Sequence, residues 1–222
     1  MSQADDASAE MPDLIVPERT SGYVKGNETR EAILRTALSI LIEEGWQAMS
    51  MRRVATECGI KFGNLTYHYR TREDLVRELL DAVISSYERE FTTIVHRPDL
   101  SPEERLDRYC RLILDDIPSK KTTRFFPELW ALSNHDRFVH DRMHELYARA
   151  RAPLDGIIAE MRPDLSQEER DALALFISFS MEGSTVFAGY EKPFADRMAL
   201  IKRIAIGSFV DLVRNYRPVA GD

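Results

Sequence analysis

The fold of this chain is decided by residues 63–75, which read GNLTYHYRTREDL. The first half ends a short helix that the pattern places from Lys61 to Tyr67. Thr71 followed three residues later by Asp74 is typical of a capping box, in which both side chains bond free backbone amides at a helix start. The stretch therefore predicts a short helix, a break, and a long helix that continues to about Val95.

The residues just upstream complete a helix-turn-helix pattern. Two short crossing helices need a small residue where they meet, a glycine in the turn and apolar residues that hold the crossing angle. Ala55 is the small residue, Gly59 is the turn residue, and the apolar positions are Val54, Ile60 and Leu65. This arrangement predicts a compact N-terminal unit of three helices.

Together these segments resemble the N-terminal signature of the TetR family of bacterial transcription regulators. The resemblance rests on the run 63–75, on residues 51–55, and on spacing over about fifty residues from Asn27; beyond them only helix number and length are similar. Thr66 stands where the family commonly has tyrosine, and Lys61 where it often has a capping Ser or Thr. The resemblance implies a homodimer that binds a palindromic operator in double-stranded DNA and a small-molecule effector.

The resemblance also places the helix around residues 61–68 in the major groove. Asn64 is the best candidate for reading a base edge, because an amide can form two hydrogen bonds with one base. Gly63 permits close approach, Lys61 can reach guanine or phosphate, and Phe62 can touch a thymine methyl group. Leu65 is expected to pack in the core, as is Tyr69. Contacts with backbone phosphates are expected from Ser50, Arg52, Thr66, Tyr67, His68 and Arg72.

Composition and charge narrow the class of protein. Of 222 residues, 44% are hydrophobic, and the net charge is −7. The charge is unevenly spread: residues 19–80 are mildly basic, while residues 1–18 include acidic but no basic residues. A basic segment on an acidic body is compatible with a DNA-binding module. The two cysteines, Cys58 and Cys110, have neither disulfide nor zinc spacing, and the acidic N-terminus does not resemble a signal peptide. A cytoplasmic protein is expected, without metal or cofactor.

Capping patterns and apolar spacing predict about nine helices and an all-α fold. Asn27 is expected to cap the first helix, Ser101 and Ser166 begin later ones, and Pro153 is expected to interrupt or bend a long one. The last helix is expected from Pro193 to about residue 216. The expected division is a disordered acidic tail (1–24), a helix-turn-helix DNA-binding domain (25–72) and a helical effector-binding and dimerisation domain (73–222).

The C-terminal part offers a candidate effector pocket in a cluster of aromatic residues. Each of these side chains could equally be ordinary core, and the neighbouring polar groups could orient a ligand. The candidates are Phe91, Tyr109, Phe125, Phe126, Trp130, Asn134, His144 and Tyr147. Glu182, in an apolar helix, is expected to have a structural role or to meet a cationic ligand.

The last two long helices are more apolar than one packed face requires, which predicts a dimer interface. The apolar run 172–181 is broken at Glu182 before it could span a membrane, so no membrane partner is expected. The interface candidates are Phe176, Phe179, Val186, Phe187, Ile201, Ile204, Phe209 and Leu212.

The leading hypothesis is a repressor released from its operator by an effector, with the long helix 71–95 transmitting the shift. A helical metal-dependent enzyme is the first alternative, because His140 and His144 lie four residues apart on one helical face. The sequence lacks a Glu-x-x-His repeat, a phosphate-binding glycine loop and a nucleophile elbow, which speaks against an enzyme. A ligand sensor that does not bind DNA is the other alternative.

Overall fold

A computed structural model describes residues 14–16 and 24–218, which form α-helices and short 3-10 turns but no strand. The all-helical prediction is confirmed. The helices are α1 (Val24–Glu44), α2 (Met51–Glu57), α3 (Phe62–His68), α4 (Arg72–Val95), α5 (Pro102–Asp116), α6 (Lys120–Ser133), α7 (Arg137–Met161), α8 (Gln167–Glu182), α9 (Ser184–Ala188) and α10 (Met198–Asn215), with 3-10 turns at Trp46–Ala48 and Ala195–Arg197.

The three capping boxes that begin α4, α5 and α8 form as the sequence predicts. At the start of α4, the backbone N–H of Asp74 donates to Thr71 Oγ1 over 3.0 Å, and the Thr71 N–H donates to the Asp74 carboxylate over 3.2 Å. Ser101 and Ser166 do the same with the glutamates three residues later. These local bonds fix where the long helices begin.

Other helix boundaries differ from the sequence prediction. Asn27 does not cap α1, because its side chain accepts a hydrogen bond from Arg30 Nη1 at 2.9 Å and the helix begins at Val24. Pro153 does not interrupt α7, whose residues on both sides are buried against neighbouring helices. The last long helix begins at Met198 rather than Pro193, because a 3-10 turn precedes it.

The N-terminal tail also differs from its prediction over three residues. Leu14 is buried, and the backbone N–H of Ile15 donates to the carbonyl of Ala82 on α4 over 2.8 Å. Apolar contact and a backbone hydrogen bond therefore order residues 14–16, which were expected to be disordered. The rest of that predicted tail, apart from Val24 at the start of α1, lies outside the described residues.

The helices α1 to α3 form a small unit at the N-terminal end of α4, and the other helices pack around α7. The buried Arg30 of α1 forms a salt bridge with Glu78 of α4. Farther along α4, Tyr87 and Phe91 are buried among the C-terminal helices. One long helix thus belongs to both cores. None of the helices in the described ranges has the length and apolarity that crossing a bilayer requires.

Candidate nucleic-acid interface and internal cavity

The crossing of α2 and α3 is held by the residues that the sequence singles out. Ala55 and Leu65 are buried at the crossing, and Gly59 takes a positive φ of 69° in the turn. The N–H of Ile60 donates to the carbonyl of Ala55 over 3.0 Å, which closes the turn. Tyr69 is buried, and burial raises the pKa of its phenol. The core roles predicted for Leu65 and Tyr69 are confirmed.

The outer face of α3 is open to solvent. Lys61, Phe62, Gly63 and Asn64 are exposed, and Tyr67 is 84% exposed. Space around Gly63 is open enough that an added Cβ would meet nothing within 4 Å. The face thus offers an amide, a cation and two aromatic rings that the rest of the described chain does not cover.

The flanking polar residues are positioned by the start of α2 and the end of α3. Ser50 caps α2 by accepting a hydrogen bond from the N–H of Arg53 at 3.2 Å, and its O–H can still donate to a phosphate. Arg52 is exposed beside the Phe62 ring, 5.8 Å from its centroid. His68 is half-buried and packs edge-on against the Tyr67 ring.

Two of the predicted phosphate ligands, Arg72 and Thr66, also form contacts within the protein. The Arg72 guanidinium lies over the Trp46 ring, 4.3 Å from its centroid, and Nε donates to the Met49 carbonyl over 3.3 Å. Partial burial lowers the pKa of Arg72. The Thr66 hydroxyl donates to the Gly63 carbonyl over 3.1 Å. Both groups have partners within the fold, and both side chains remain partly exposed, so their contacts with phosphates stay predictions.

A small internal cavity lies among the C-terminal helices, with about 40 Å³ open to a water-sized molecule. Its walls combine aromatic residues with two acids and one threonine. They come from α4, α5, α6, α7 and α8, and include Tyr87, Phe91, Asp116, Thr122, Phe126, Tyr147 and Glu182.

An open groove of about 310 Å³ shares Tyr147 and Glu182 with this cavity. Its walls are almost wholly apolar, with Arg151 as the second charged group. They include Trp130, Met143, Leu175, Phe179 and Val186. We call the two spaces the inner cavity and the outer groove.

Two acids line the inner cavity, and Lys121 Nζ lies 3.9 Å from the carboxylate of one of them, Asp116. Asp116 accepts a hydrogen bond from the Tyr87 hydroxyl at 2.5 Å and another from Thr122. Burial, reinforced by the nearby Asp116 charge, raises the pKa of Glu182 to about 7. Burial also raises the pKa of the Tyr147 hydroxyl, which accepts a hydrogen bond from Trp130 Nε1 at 2.8 Å.

The structure brings together only part of the aromatic cluster expected to form a pocket. Phe91, Phe126 and Tyr147 line the inner cavity, and Trp130 lines the outer groove. Two other aromatic candidates, Tyr109 and Phe125, are buried but line neither space.

Two polar pocket candidates lie at the surface. Asn134 is exposed and donates to the Trp130 carbonyl, and His144 is exposed with its ring 4.3 Å from that of His140. Both were candidates for orienting a ligand, but neither lines the inner cavity or the outer groove. In the described part of the chain no group of three or more His, Cys, Asp or Glu side chains is arranged to hold a metal ion.

Sequence reasoning missed Tyr87, Asp116 and Thr122 as members of the cavity. The available signal was Tyr87 itself, which shares the apolar stripe of α4 with Leu79 and Val83 and so had to face inward. No comparable local signal marks Asp116, whose place depends on how α5 packs.

The predicted dimer face is largely exposed in the protomer. Phe179 is 56% exposed and Phe187 is 62% exposed; Phe176, Val186 and Ile204 are exposed as well, while Ile201 and Leu212 are half-buried. Phe209 was also predicted to lie in the dimer interface, but it is only 6% exposed because it packs inside the protomer.

Comparison with known proteins gives the class of this chain. A family model for bacterial regulatory proteins of the tetR family matches residues 33–79, and a model for the C-terminal part of BetI-type transcriptional repressors matches residues 102–208. An HTH-type transcriptional regulator in the dhlA 5′ region of Xanthobacter autotrophicus is 28% identical over 173 residues, which are 74% of this chain and 82% of that protein.

Solved structures share the fold. Salmonella enterica GusR superposes with a TM-score of 0.67 at 15% identity, covering 85% of this chain and 96% of that one. The ketosteroid regulator KstR2 of Mycobacterium tuberculosis gives 0.57 at 23% identity, covering 86% and 98%. The family models and the curated relative define the class as a DNA-binding transcriptional regulator, and the solved structures show the same fold. The chain belongs to the TetR family. Its relatives are regulators, which are not enzymes.

Proposed function

We propose that this regulator is a homodimeric repressor that a small-molecule effector releases from a palindromic operator. The observation that carries the proposal is the position of α6, which contacts the unit formed by α1 to α3 and also lines the inner cavity and the outer groove. The protein would act in the cytoplasm, where bacterial DNA lies.

One face of α6 contacts the DNA-binding unit. Lys120 Nζ lies 2.6 Å from the Glu43 carboxylate, and Arg124 Nη1 donates to the Ile42 carbonyl over 3.4 Å. Glu128 accepts a hydrogen bond from the backbone N–H of Trp46 at 3.3 Å. Trp46 in turn carries the guanidinium of Arg72 at the start of α4. A shift of α6 therefore moves the frame on which α2 and α3 are mounted.

The opposite face of α6 lines the candidate effector site. Thr122 and Phe126 face the inner cavity, and Trp130 faces the outer groove. A ligand that binds one position of α6 better than another shifts the equilibrium between them by its difference in affinity. We propose α6 as the main route of transmission, with α4, the expected route, as the second connection.

On DNA, we propose that Asn64 reads a base edge while Lys61 and Phe62 contact neighbouring bases. Ser50, Arg52, Tyr67 and His68 would hold phosphates, and Gly63 would let the backbone approach. The proposal rests on their exposure on one face. A second copy docked on the exposed apolar face of α8 to α10 would place a second reading helix about 34–36 Å away, one turn of DNA.

The proposal is tested by fluorescence anisotropy on DNA flanking the gene and on scrambled DNA, over a salt series. We expect binding to weaken steeply with salt on both, and to be tighter on the flanking DNA. Asn64→Ala should cost about 1–3 kcal/mol per half-site on the operator and almost nothing on scrambled DNA. Asn215→Ala, the same change at an exposed site on α10, is the control. Equal loss on both DNAs would contradict base reading by Asn64.

A further inference from the structure

The guanidinium of Arg72, at the start of α4, lies against the turn that precedes α2. It stacks on the Trp46 ring, 4.3 Å from the ring centroid. Nε donates to the Met49 carbonyl over 3.3 Å, and Nη2 lies 3.5 Å from the Trp46 carbonyl. A guanidinium carries five N–H groups in one plane. The turn occupies the edge formed by Nε and Nη2, which leaves both N–H groups of Nη1 and the second one of Nη2.

The other edge of this guanidinium is not used within the described part of the chain. Nη1 donates to no described residue, and the side chain is half-buried. Glu73 and Asp136 act on Arg72 through their charge, yet among the described residues neither forms an ion pair with it. A partly buried cation with unused donors and no paired acid is suited to bind an anion from outside the protein.

The position of Arg72 connects it with the candidate DNA-reading face. Met49, whose carbonyl accepts from Nε, directly precedes Ser50, the N-cap residue of α2. The guanidinium therefore lies beside the start of α2, and in the chain Arg72 follows closely after His68, the last residue of α3. Ser50 and His68 are both proposed to hold phosphates. When this face meets DNA, the anion within reach of Arg72 is a backbone phosphate.

The turn that carries the guanidinium is itself fixed. Gly45 takes a positive φ of 83°, which lets the chain leave α1 sharply. The N–H of Trp46 donates to the Glu128 carboxylate over 3.3 Å, and the N–H of Met49 donates to the Trp46 carbonyl over 3.2 Å. The side chains of Trp46 and Met49 are buried. Because the ring and the carbonyls are already in place, Arg72 loses less conformational freedom when it binds.

The Trp46 ring supplies attraction and also direction. Of the aromatic side chains, indole attracts a cation best, and a planar guanidinium stacks on its face. Stacking fixes the plane of the guanidinium and therefore the direction in which its unused N–H groups point. Phosphate often accepts two parallel hydrogen bonds from one guanidinium, so this direction affects affinity.

We propose that Trp46 is a positioning residue for DNA binding: its ring and the carbonyls of the turn 46–49 hold Arg72 with one edge free for a backbone phosphate. This inference rests on the proposed docking of α2 and α3 on DNA, but it does not depend on the effector or on the operator sequence. Phosphate contacts carry no base information, so the effect should be the same on any duplex.

The test is a double-mutant cycle on Trp46 and Arg72, measured by anisotropy of the full chain on the gene-flanking duplex and on the scrambled duplex. Arg72→Gln should weaken binding to both about tenfold per protomer and reduce the salt slope by about 1 per protomer. Trp46→Leu should weaken binding about two- to fivefold per protomer in the wild-type chain, but by less than about 1.5-fold in the Arg72→Gln chain. Trp46→Phe, which keeps a ring face, should lose less than about twofold.

The control for charge alone is Arg97→Gln, which removes the same charge beyond the far end of α4 and should leave the salt slope unchanged. Urea denaturation shows whether each variant is folded under the binding conditions. If Trp46→Leu does not fold, Trp46→Met, which fills more of the space, takes its place in the cycle.

Three outcomes would overturn the inference. They are an equal loss from Trp46→Leu in both backgrounds, which is the result expected of a purely structural residue, a loss in Trp46→Phe as large as in Trp46→Leu, and an unchanged affinity in Arg72→Gln. Equal binding of the two duplexes by the wild-type chain would instead contradict the sequence-reading repressor. The cycle on the scrambled duplex would still decide the role of Trp46.

Discussion

The two functional surfaces of this regulator are built in opposite ways. The candidate DNA-reading face is external and comes from α3, a helix of seven residues, together with the start of α2. The candidate effector site is internal and takes residues from α4, α5, α6, α7 and α8. Side chains on the first surface carry little of the fold, whereas those on the second are part of the core. Changes in DNA binding can therefore be separated from stability, while changes in the effector site cannot.

The largest difference in stability is expected between variants at two neighbouring residues of α3, one buried in the core and one exposed. Leu65→Ala removes a wholly buried side chain and should cost about 2–5 kcal/mol of the free energy of unfolding. Asn64→Ala, one residue earlier and exposed, should change stability by less than about 0.5 kcal/mol. Urea denaturation of both variants measures this. A similar loss of stability in both would break the comparison.

The next largest loss of stability is expected from a substitution at Gly189, which lies against α6. A Cβ at Gly189 would lie 2.4 Å from Thr123 Oγ1 on α6 and 2.7 Å from the Thr185 carbonyl. Gly189→Ala should therefore cost about 1–3 kcal/mol. Gly156→Ala on α7, where nothing lies within 4 Å, should instead stabilise by about 0.5–1 kcal/mol. Thermal unfolding measures the change in Tm of both variants. Equal shifts in Tm would contradict the close packing at Gly189.

The acid in the effector site should make stability depend on pH. Folding raises the pKa of Glu182 from an ordinary value near 4.5 to about 7, so the native state holds this proton more tightly. Its stabilising contribution is complete below about pH 4 and is lost as pH rises through 7.

Glu182→Gln should therefore gain about 1–3 kcal/mol relative to the wild-type chain between pH 5 and pH 8. The measurement is urea denaturation at both pH values. Glu168→Gln should show no such gain. A difference between the Glu182→Gln and wild-type proteins that does not change with pH would mean that the carboxyl group is already ionised at pH 5.

The smallest effect on stability is expected from a substitution on the exposed face of α3. Tyr67→Phe removes one hydroxyl from a side chain that is 84% exposed, so stability should change by less than about 0.5 kcal/mol. Loss of one phosphate hydrogen bond should weaken binding to operator and scrambled DNA alike, by about 0.5–1.5 kcal/mol per half-site. Anisotropy on both DNAs measures this. A loss confined to the operator would instead make Tyr67 a base-reading residue.

The same division explains what the sequence could predict. Gly59, Ala55 and Leu65 act within a motif whose members are close in the chain, so their spacing was enough to assign them. The contact of Arg72 with Trp46 was not predicted, because Trp46 lies 26 residues away in the sequence and no local pattern indicates the pair. The capping boxes were predicted correctly because their paired residues lie only three positions apart in the chain.

The effector site was harder to predict because packing decides which side of each helix faces inward. His144 was a pocket candidate but is exposed, whereas Asp116 was not a candidate but lines the inner cavity. Glu182 was marked by the apolar helix around it. An isolated acid in an apolar run can be recognised from the sequence alone. An aromatic residue cannot, because the sequence does not distinguish a pocket residue from an ordinary core residue.

The two faces of α6 also bear on how such regulators diversify. Its contacts with the DNA-binding unit come from Lys120, Arg124 and Glu128, and its ligand-facing residues are Thr122, Phe126 and Trp130. Each set repeats every four residues, and the two are offset by two, which is about half a helical turn. Selection can thus exchange one set for a new chemical signal and leave the other intact. In the proposed mechanism, α6 is thus an adaptor between an interchangeable sensor and a fixed output.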